Sequence, residues 1–261
     1  MTSRLEAQGV TLGYDRHIVS TDLHIAIPDG SFTAIIGPNA CGKSTLLRAY
    51  ARVLKPLAGS MVLDGADMAT YPAKEVAKRL GLLPQSAIAP DGIRVADLVA
   101  RGRFPYQGII RQWTSDDSTA VKAALEATQI TDLSGRLVDE LSGGQRQRVW
   151  IAMLLAQQTN ILLLDEPTTF LDISHQFELL ELLRRFHRDG HTIITVLHDL
   201  NQAARYANHL IVMKEGQVVA EGDPSSIITA DLVEDVFHLR CIVMPDPVTA
   251  SPAVFPLPPK E

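Results

Sequence analysis

The run "SFTAIIGPNACGKSTLLRAYARVL", residues 31–54, constrains the fold more than any other stretch. An apolar segment ends at Ile36, glycines follow at 37 and 42, and helical spacing begins near Lys43. Strand, loop and helix in that order place the loop between a buried strand and a helix N-terminus. Residues 37–44, "GPNACGKS", fit the pattern G-x-x-x-x-G-K-[ST], in which backbone N–H groups cradle phosphates. Gly37 and Gly42 let the backbone bend so that those groups face a phosphate oxygen. Pro38, Asn39, Ala40 and Cys41 fill the loop, and Thr45 continues into the helix. Lys43 reaches terminal phosphates as a point charge, and Ser44 offers its hydroxyl to Mg²⁺. Ala40 stands where many such loops have glycine, which reduces backbone freedom there. Cys41 reads as a small filler rather than a redox switch.

Further apolar runs at 81–84 ("GLLP"), 161–165 ("ILLLD") and 192–198 ("TIITVLH") read as buried strands of a parallel sheet. Helical patterns at 116–129, 144–157 and 174–188 lie among them. Residues 5–36 alternate in places, with breaks at "YDRH" and "PDG", as short antiparallel strands do. Residues 86–160 hold no strand of similar quality and read as a helical insertion. "HLIVMKEGQVVAEG", 209–222, reads as a hairpin turning at Glu215–Gly216. Asp223 and Pro224 then read as the N-cap and first residue of a helix through "DPSSIITADLVEDVF". The tail from Pro245 holds six prolines in 17 residues and reads as extended and partly mobile. The predicted architecture is α/β: a P-loop nucleotide hydrolase core with a mostly parallel sheet, an N-terminal antiparallel β subdomain and an inserted α-helical subdomain over about 86–160.

In "ILLLDEP", 161–167, an apolar strand runs into two carboxylates. Asp165 can hold Mg²⁺ through water. Glu166, one residue on, addresses a different atom and can take a proton from water attacking a γ-phosphate. Alone, the pair would equally suit a helix N-cap after a core strand. "LSGGQ", 141–145, places Ser142 and Gln145 at capping-box spacing. Capping does not explain Gly143 and Gly144, which cost a first turn about 1 kcal/mol each relative to alanine. Something therefore needs close approach to this backbone. Bare N–H groups and a serine hydroxyl suit a phosphate, yet with no lysine or metal ligand beside them they cannot hold a nucleotide alone.

Together with Gln85 in "LLPQ", "FLD" at 170–172 and His198 in "TVLHD", these motifs occur in the order found in ATP-binding-cassette (ABC) transporters. From about residue 4 to 240 the chain resembles their nucleotide-binding subunit; 241–261 forms a Pro-rich tail outside the resemblance. The resemblance implies ATP and Mg²⁺, and two copies paired head to tail. Each ATP then lies between the phosphate loop of one copy and the "LSGGQ" signature of the other. It further implies adenine stacking on Tyr14 and Mg²⁺ on Ser44, Gln85 and Asp165. The γ-phosphate would meet Lys43, His198, and the partner's Ser142 and Gly144, with Gly143 and Gln145 in the same signature. Glu166, His198 and Gln85 are the implied catalytic set, and Asp172 would cross the dimer interface.

After Gln85, the family docks a cytoplasmic helix of its permease. Phe104, Tyr106 and Trp113 are candidates to receive it, with local packing an equal reading for each. "VARGRFPYQG" and "DEPTTFLDISHQFELLELL" are similar to cassettes of bacterial ferric-siderophore importers; related cassettes serve haem, cobalamin or other metal chelates. That resemblance implies membrane permease subunits, indirectly an extracytoplasmic substrate-binding protein, and a peripheral position on the cytoplasmic face of the membrane. From another class, a soluble ABC ATPase such as an iron–sulfur assembly ATPase shares the motifs.

Composition narrows the partners. A net charge of −6 argues against a general nucleic-acid binder. Two cysteines, Cys41 and Cys241, are too few for a disulfide framework and point to a reducing compartment. "MTSRLEAQGV" lacks the apolar core of a signal peptide. No apolar run approaches the ~18 residues of a membrane span, so if the protein works at a membrane another chain must supply the span.

Overall fold

The computed structural model describes residues 3–15, 17–108, 113–169 and 171–258. The chain divides into two compact units, Met1–Thr70 with Thr192–Glu261, and Tyr71–His191. In chain order the first unit opens with β1 (Ser3–Tyr14), β2 (His17–Pro28), β3 (Phe32–Ile36), α1 (Lys43–Tyr50), β4 (Ala58–Leu63) and β5 (Ala66–Asp67). The second unit holds α2 (Ala73–Ala77), β6 (Leu80–Leu83), α3 (Val95–Ala100), α4 (Ser115–Ala127), α5 (Gly143–Ala156), β7 (Ile161–Leu164) and α6 (Ile173–Arg188). The chain then re-enters the first unit through β8 (Thr192–Val196), α7 (Leu200–Tyr206), β9 (His209–Lys214), β10 (Gln217–Gly222), α8 (Pro224–Ile227), α9 (Ala230–Phe237), β11 (Cys241–Pro245) and β12 (Pro252–Pro256).

In the first unit, β1 pairs antiparallel with β2 on one side and β4 on the other. Leu5 and Ala7 of β1 are buried on one phase of the strand alternation. Val10 and Leu12 are buried on the other, because the register shifts by a residue between Ala7 and Val10, where Gly9 takes φ 61°. β3 lies parallel to both β8 and β9, and β10 returns antiparallel on β9. All five residues of β3 and all five of β8 are buried, as befits strands covered on both faces.

Two expectations for the C-terminal region are corrected. The helix predicted from Asp223 is two helices. Asp223 caps only the four-residue α8, and Thr229 starts α9 by accepting from Leu232 N. The tail is extended but not loose, because β11 and β12 pair as an antiparallel hairpin. Asn201 of α7 pins it, donating to Val254 O (3.2 Å) and accepting from Val254 N (2.7 Å). Pro245, Pro252 and Pro256 fall at strand ends, where the missing N–H costs the ladder little.

In the second unit, β6 and β7 form a parallel pair. Helices α3, α4 and α5 share a separate apolar core that includes Val95, Leu98, Val121, Leu125, Val149 and Ala152. One ion pair is buried beside it. Arg103 is 3% and Asp117 1% exposed, and Nε donates to Oδ1 at 2.9 Å. Arg103 also donates to Ala156 O at the end of α5 (2.8 Å). Burial opposes ionisation of Asp117, but hydrogen bonds from Arg103 and Thr114 outweigh it and hold its pKa below the usual carboxylate value. The stability this adds is complete above the unfolded-state value of about 3.9 and is lost as pH falls through the folded value. Asp117→Ala strands a buried guanidinium and should cost about 3 kcal/mol in urea unfolding. Asp117→Asn should flatten the acid limb of the stability–pH curve.

Candidate functional site

In the first unit the phosphate loop leaves β3 with Gly37 at φ 152° and enters α1 with Gly42 at φ 104°. A Cβ on Gly37 would lie 2.1 Å from Met213 O, so the loop packs directly on β9. Ala40 sits at φ 62°, in the left-handed region its methyl disfavours. The α1 start has no side-chain cap, an arrangement that suits an anion at the helix N-terminus. Lys43 is 5% exposed, and its Nζ donates to the carbonyls of Gly37 (2.9 Å) and Pro38 (2.7 Å). Those two acceptors offset the cost of burying an ammonium. Burial pushes the Cys41 thiol pKa up, against the pull of Lys43, which makes an inert packing residue of it.

A support for this loop escaped the sequence reading. The β9–β10 hairpin turns at Glu215 (φ 48°) and Gly216 (φ 78°), as predicted, with the double positive φ of a type I′ turn. Gly216 N also donates to Cys41 O (3.1 Å), so the hairpin tip holds the phosphate loop from outside. Tyr14 ends β1 with 42% exposure, and its hydroxyl accepts from Arg48 Nη1 of α1 at 3.5 Å. His198 is exposed just beyond β8, and Asp199 beside it caps α7 by accepting from Gln202 N (2.8 Å).

The second unit brings Gln85 and Glu166 together. Gln85 lies just past β6, and its Nε2 donates to Glu166 Oε2 at 2.7 Å. Thr169 Oγ1 donates to the same oxygen at 3.2 Å. Glu166 adopts φ 51°, a strained backbone for a residue with a side chain. Asp165, at the end of β7, is 1% exposed, and its N–H donates to Leu83 O of β6 (2.9 Å).

The signature forms the predicted capping box. Ser142 Oγ accepts from Gln145 N (3.3 Å), and Gln145 Oε1 accepts from Ser142 N (3.1 Å). Its two glycines have different surroundings. Nothing lies within 4 Å of a Cβ built on Gly143, whereas one on Gly144 would be 2.6 Å from Cδ2 of His175. A methyl at Gly144 would thus have to displace the His175 ring, a contact within its own chain that the sequence did not disclose. Asp172 caps α6 by accepting from His175 N (2.9 Å), and it also accepts from Ser174 Oγ (3.0 Å) and His175 Nδ1 (2.7 Å). The backbone N–H of His175, then the Ser174 hydroxyl, lower the Asp172 pKa. Phe170 of "FLD" lies outside the described residues.

Phosphate loop, strand-end carboxylates and capped glycine signature define an ATP-binding cassette. Residues 20–169 match the ABC transporter family, and the chain belongs to that family as its ATP-binding, ATP-hydrolysing part. It is 55% identical, over 98% of its length and 94% of the relative's, to the ferric enterobactin transport ATP-binding protein FepC of Escherichia coli K12. Among solved structures it resembles an inward-facing transporter described as of the metal-chelate ABC type, with TM-score 0.85 and 27% identity, covering 98% of each chain. It also resembles the dimeric bacterial ABC cassette MJ0796, with TM-score 0.73 and 27% identity over 84% of this chain and 98% of that one. Among the described residues no helix is long and apolar enough to cross a membrane.

Proposed function

We propose that the chain is the ATPase subunit of an importer of iron(III)–siderophore complexes. The observation that carries this reading is the 55% identity to the ferric enterobactin relative, spread over nearly the whole of both chains. Two copies pair head to tail on the cytoplasmic face of the membrane, bound to permease subunits. The permease takes its cargo from an extracytoplasmic substrate-binding protein.

Within each copy, Tyr14 stacks on adenine, as a flat apolar face suits a base. The loop from Gly37 to Thr45 receives the phosphates, and Lys43 neutralises charge on the transferring group. As the family resemblance implies, Ser44, Gln85 and Asp165 would each offer an oxygen to Mg²⁺, the donor chemistry that ion takes. The ion would supply charge neutralisation on the phosphate oxygens. Glu166 takes the proton of the attacking water and His198 orients that water against the γ-phosphate. The partner's Ser142 and Gly144 close over the same phosphate. ATP thereby binds the paired state selectively, and loss of the γ-phosphate releases it.

Around the region after Gln85, a groove of about 480 Å³ is lined by Asp97, Ala100, Arg101, Phe104, Gln107 and Trp113. Phe104 is 64% and Trp113 46% exposed, which supports docking of a permease helix there. Tyr106 differs. Its hydroxyl donates to Gln157 O (2.9 Å) and its ring lies under Arg103 (4.0 Å), so it packs locally. The test is uptake of labelled iron(III)–siderophore by cells lacking this chain, with and without its return. Restored uptake, and copurification with the tagged permease, is expected. Supernatant location with the permease coexpressed would contradict the reading.

A further inference from the structure

We propose that His175 is a positioning residue for the signature. Held by Asp172, its ring fixes the backbone at Gly144, and with it the two N–H groups that meet ATP on the partner copy. This rests on the two-copy reading above.

At the start of α5, Gln145 N–H is taken by Ser142 Oγ and Arg146 N–H by Ser142 O. Helix geometry gives the N–H groups of Gly143 and Gly144 no intrahelical acceptor, so they remain for an incoming phosphate. Two consecutive glycines define such a turn poorly by themselves. The imidazole of His175 supplies the missing constraint, since a single methyl on Gly144 would collide with Cδ2 (2.6 Å) and Cγ (2.9 Å). The ring is 38% exposed, and the bond from its Nδ1–H to Asp172 Oδ1 at 2.7 Å is what restrains it against Gly144. Farther along, Gln147 Nε2 donates to Pro167 O (2.9 Å) and Arg148 pairs with Glu178 of α6. These contacts keep α5 and the start of α6 in register. Asp172, expected at the copy–copy interface, is thereby joined through one ring to the signature of its own chain.

The experiment measures ATP-driven association by light scattering in a Glu166→Gln background, alongside ATP affinity of the dilute single chain. His175→Ala should weaken association roughly tenfold, the equivalent of reordering about one residue. ATP affinity of the single chain should stay the same, because residues 37–45 are untouched. His175→Phe keeps a ring and loses the Asp172 bond, and should fall between parent and alanine. Gly144→Ala should weaken association by roughly a hundredfold through overpacking. In the His175→Ala background the added methyl has room, and the same change should cost less than about tenfold, a coupling expected only of direct neighbours. An equal penalty in both backgrounds, or undisturbed association in His175→Ala, overturns the proposal. Ser142→Arg separates the two failures. If it blocks association while the His175 and Gly144 changes act independently, only the role of His175 is wrong. If Ser142→Arg also associates normally, the two-copy reading falls and takes this proposal with it.

Discussion

Lys43→Ala is expected to lower ATP turnover by about a thousandfold or more, the scale of losing a charged donor aimed at the reacting group. The structure makes this effect severe for two reasons. Lys43 is buried, and its ammonium is already inside the loop, held by the carbonyls of Gly37 and Pro38. Little reorganisation is therefore needed to meet a phosphate, and preorganised charge is worth more than mobile charge. The same two bonds tie the loop to the first turn of α1, so the alanine variant also loosens the phosphate seat. Nucleotide affinity should fall along with turnover, as a calorimetric titration would record. Lys43→Arg should not rescue, because a planar fork does not fit a seat built around a compact ammonium. Hydrolysis by Lys43→Ala within tenfold of the parent would remove Lys43 from its assigned role.

Glu166→Gln should behave in the opposite way at the binding step. The exchange is isosteric, and the new side chain can still accept from Gln85 Nε2 and Thr169 Oγ1, whose present bonds are 2.7 and 3.2 Å. The strained backbone at φ 51° can persist, since the residue keeps its size and its neighbours. Only the proton-accepting oxygen is lost, and general-base catalysis is worth about a hundred- to ten-thousandfold. Turnover should therefore collapse while ATP binds normally and accumulates in a two-copy species. Sizing the protein with and without ATP, with nucleotide analysis of the larger species, reads both parts of this prediction. A variant that hydrolyses at the parent rate would show that another group accepts the proton.

Much of this was legible in the sequence because the relevant signals are local. The apolar run to Ile36, the glycines at 37 and 42 and the lysine at 43 specify strand, loop and helix within one short segment. The Ser142–Gln145 capping box and the Glu215–Gly216 turn are likewise set by neighbours in the chain. Contacts between distant segments were not legible. Nothing in the spacing of Gly144 and His175 announces that one ring excludes a methyl from the other residue. Gly216 read as a turn residue, while its bond to Cys41 O depends on where the folded hairpin lies. The tail hairpin was missed because proline density suggested an unpaired segment, and β11, "CIVMP", is apolar throughout and shows no apolar–polar alternation to mark a strand. The break between α8 and α9 was missed because a good N-cap at Asp223 says nothing about how far its helix runs.

The central claim is that one phosphate loop and one signature serve two different ATP molecules, so that a complete pocket needs two copies. ATP turnover per chain, measured across a wide range of protein concentration, tests this most directly. The account predicts a per-chain rate that rises steeply with concentration and then saturates as pairs form. A rate per chain that stays constant down to concentrations where light scattering finds only single copies would contradict it.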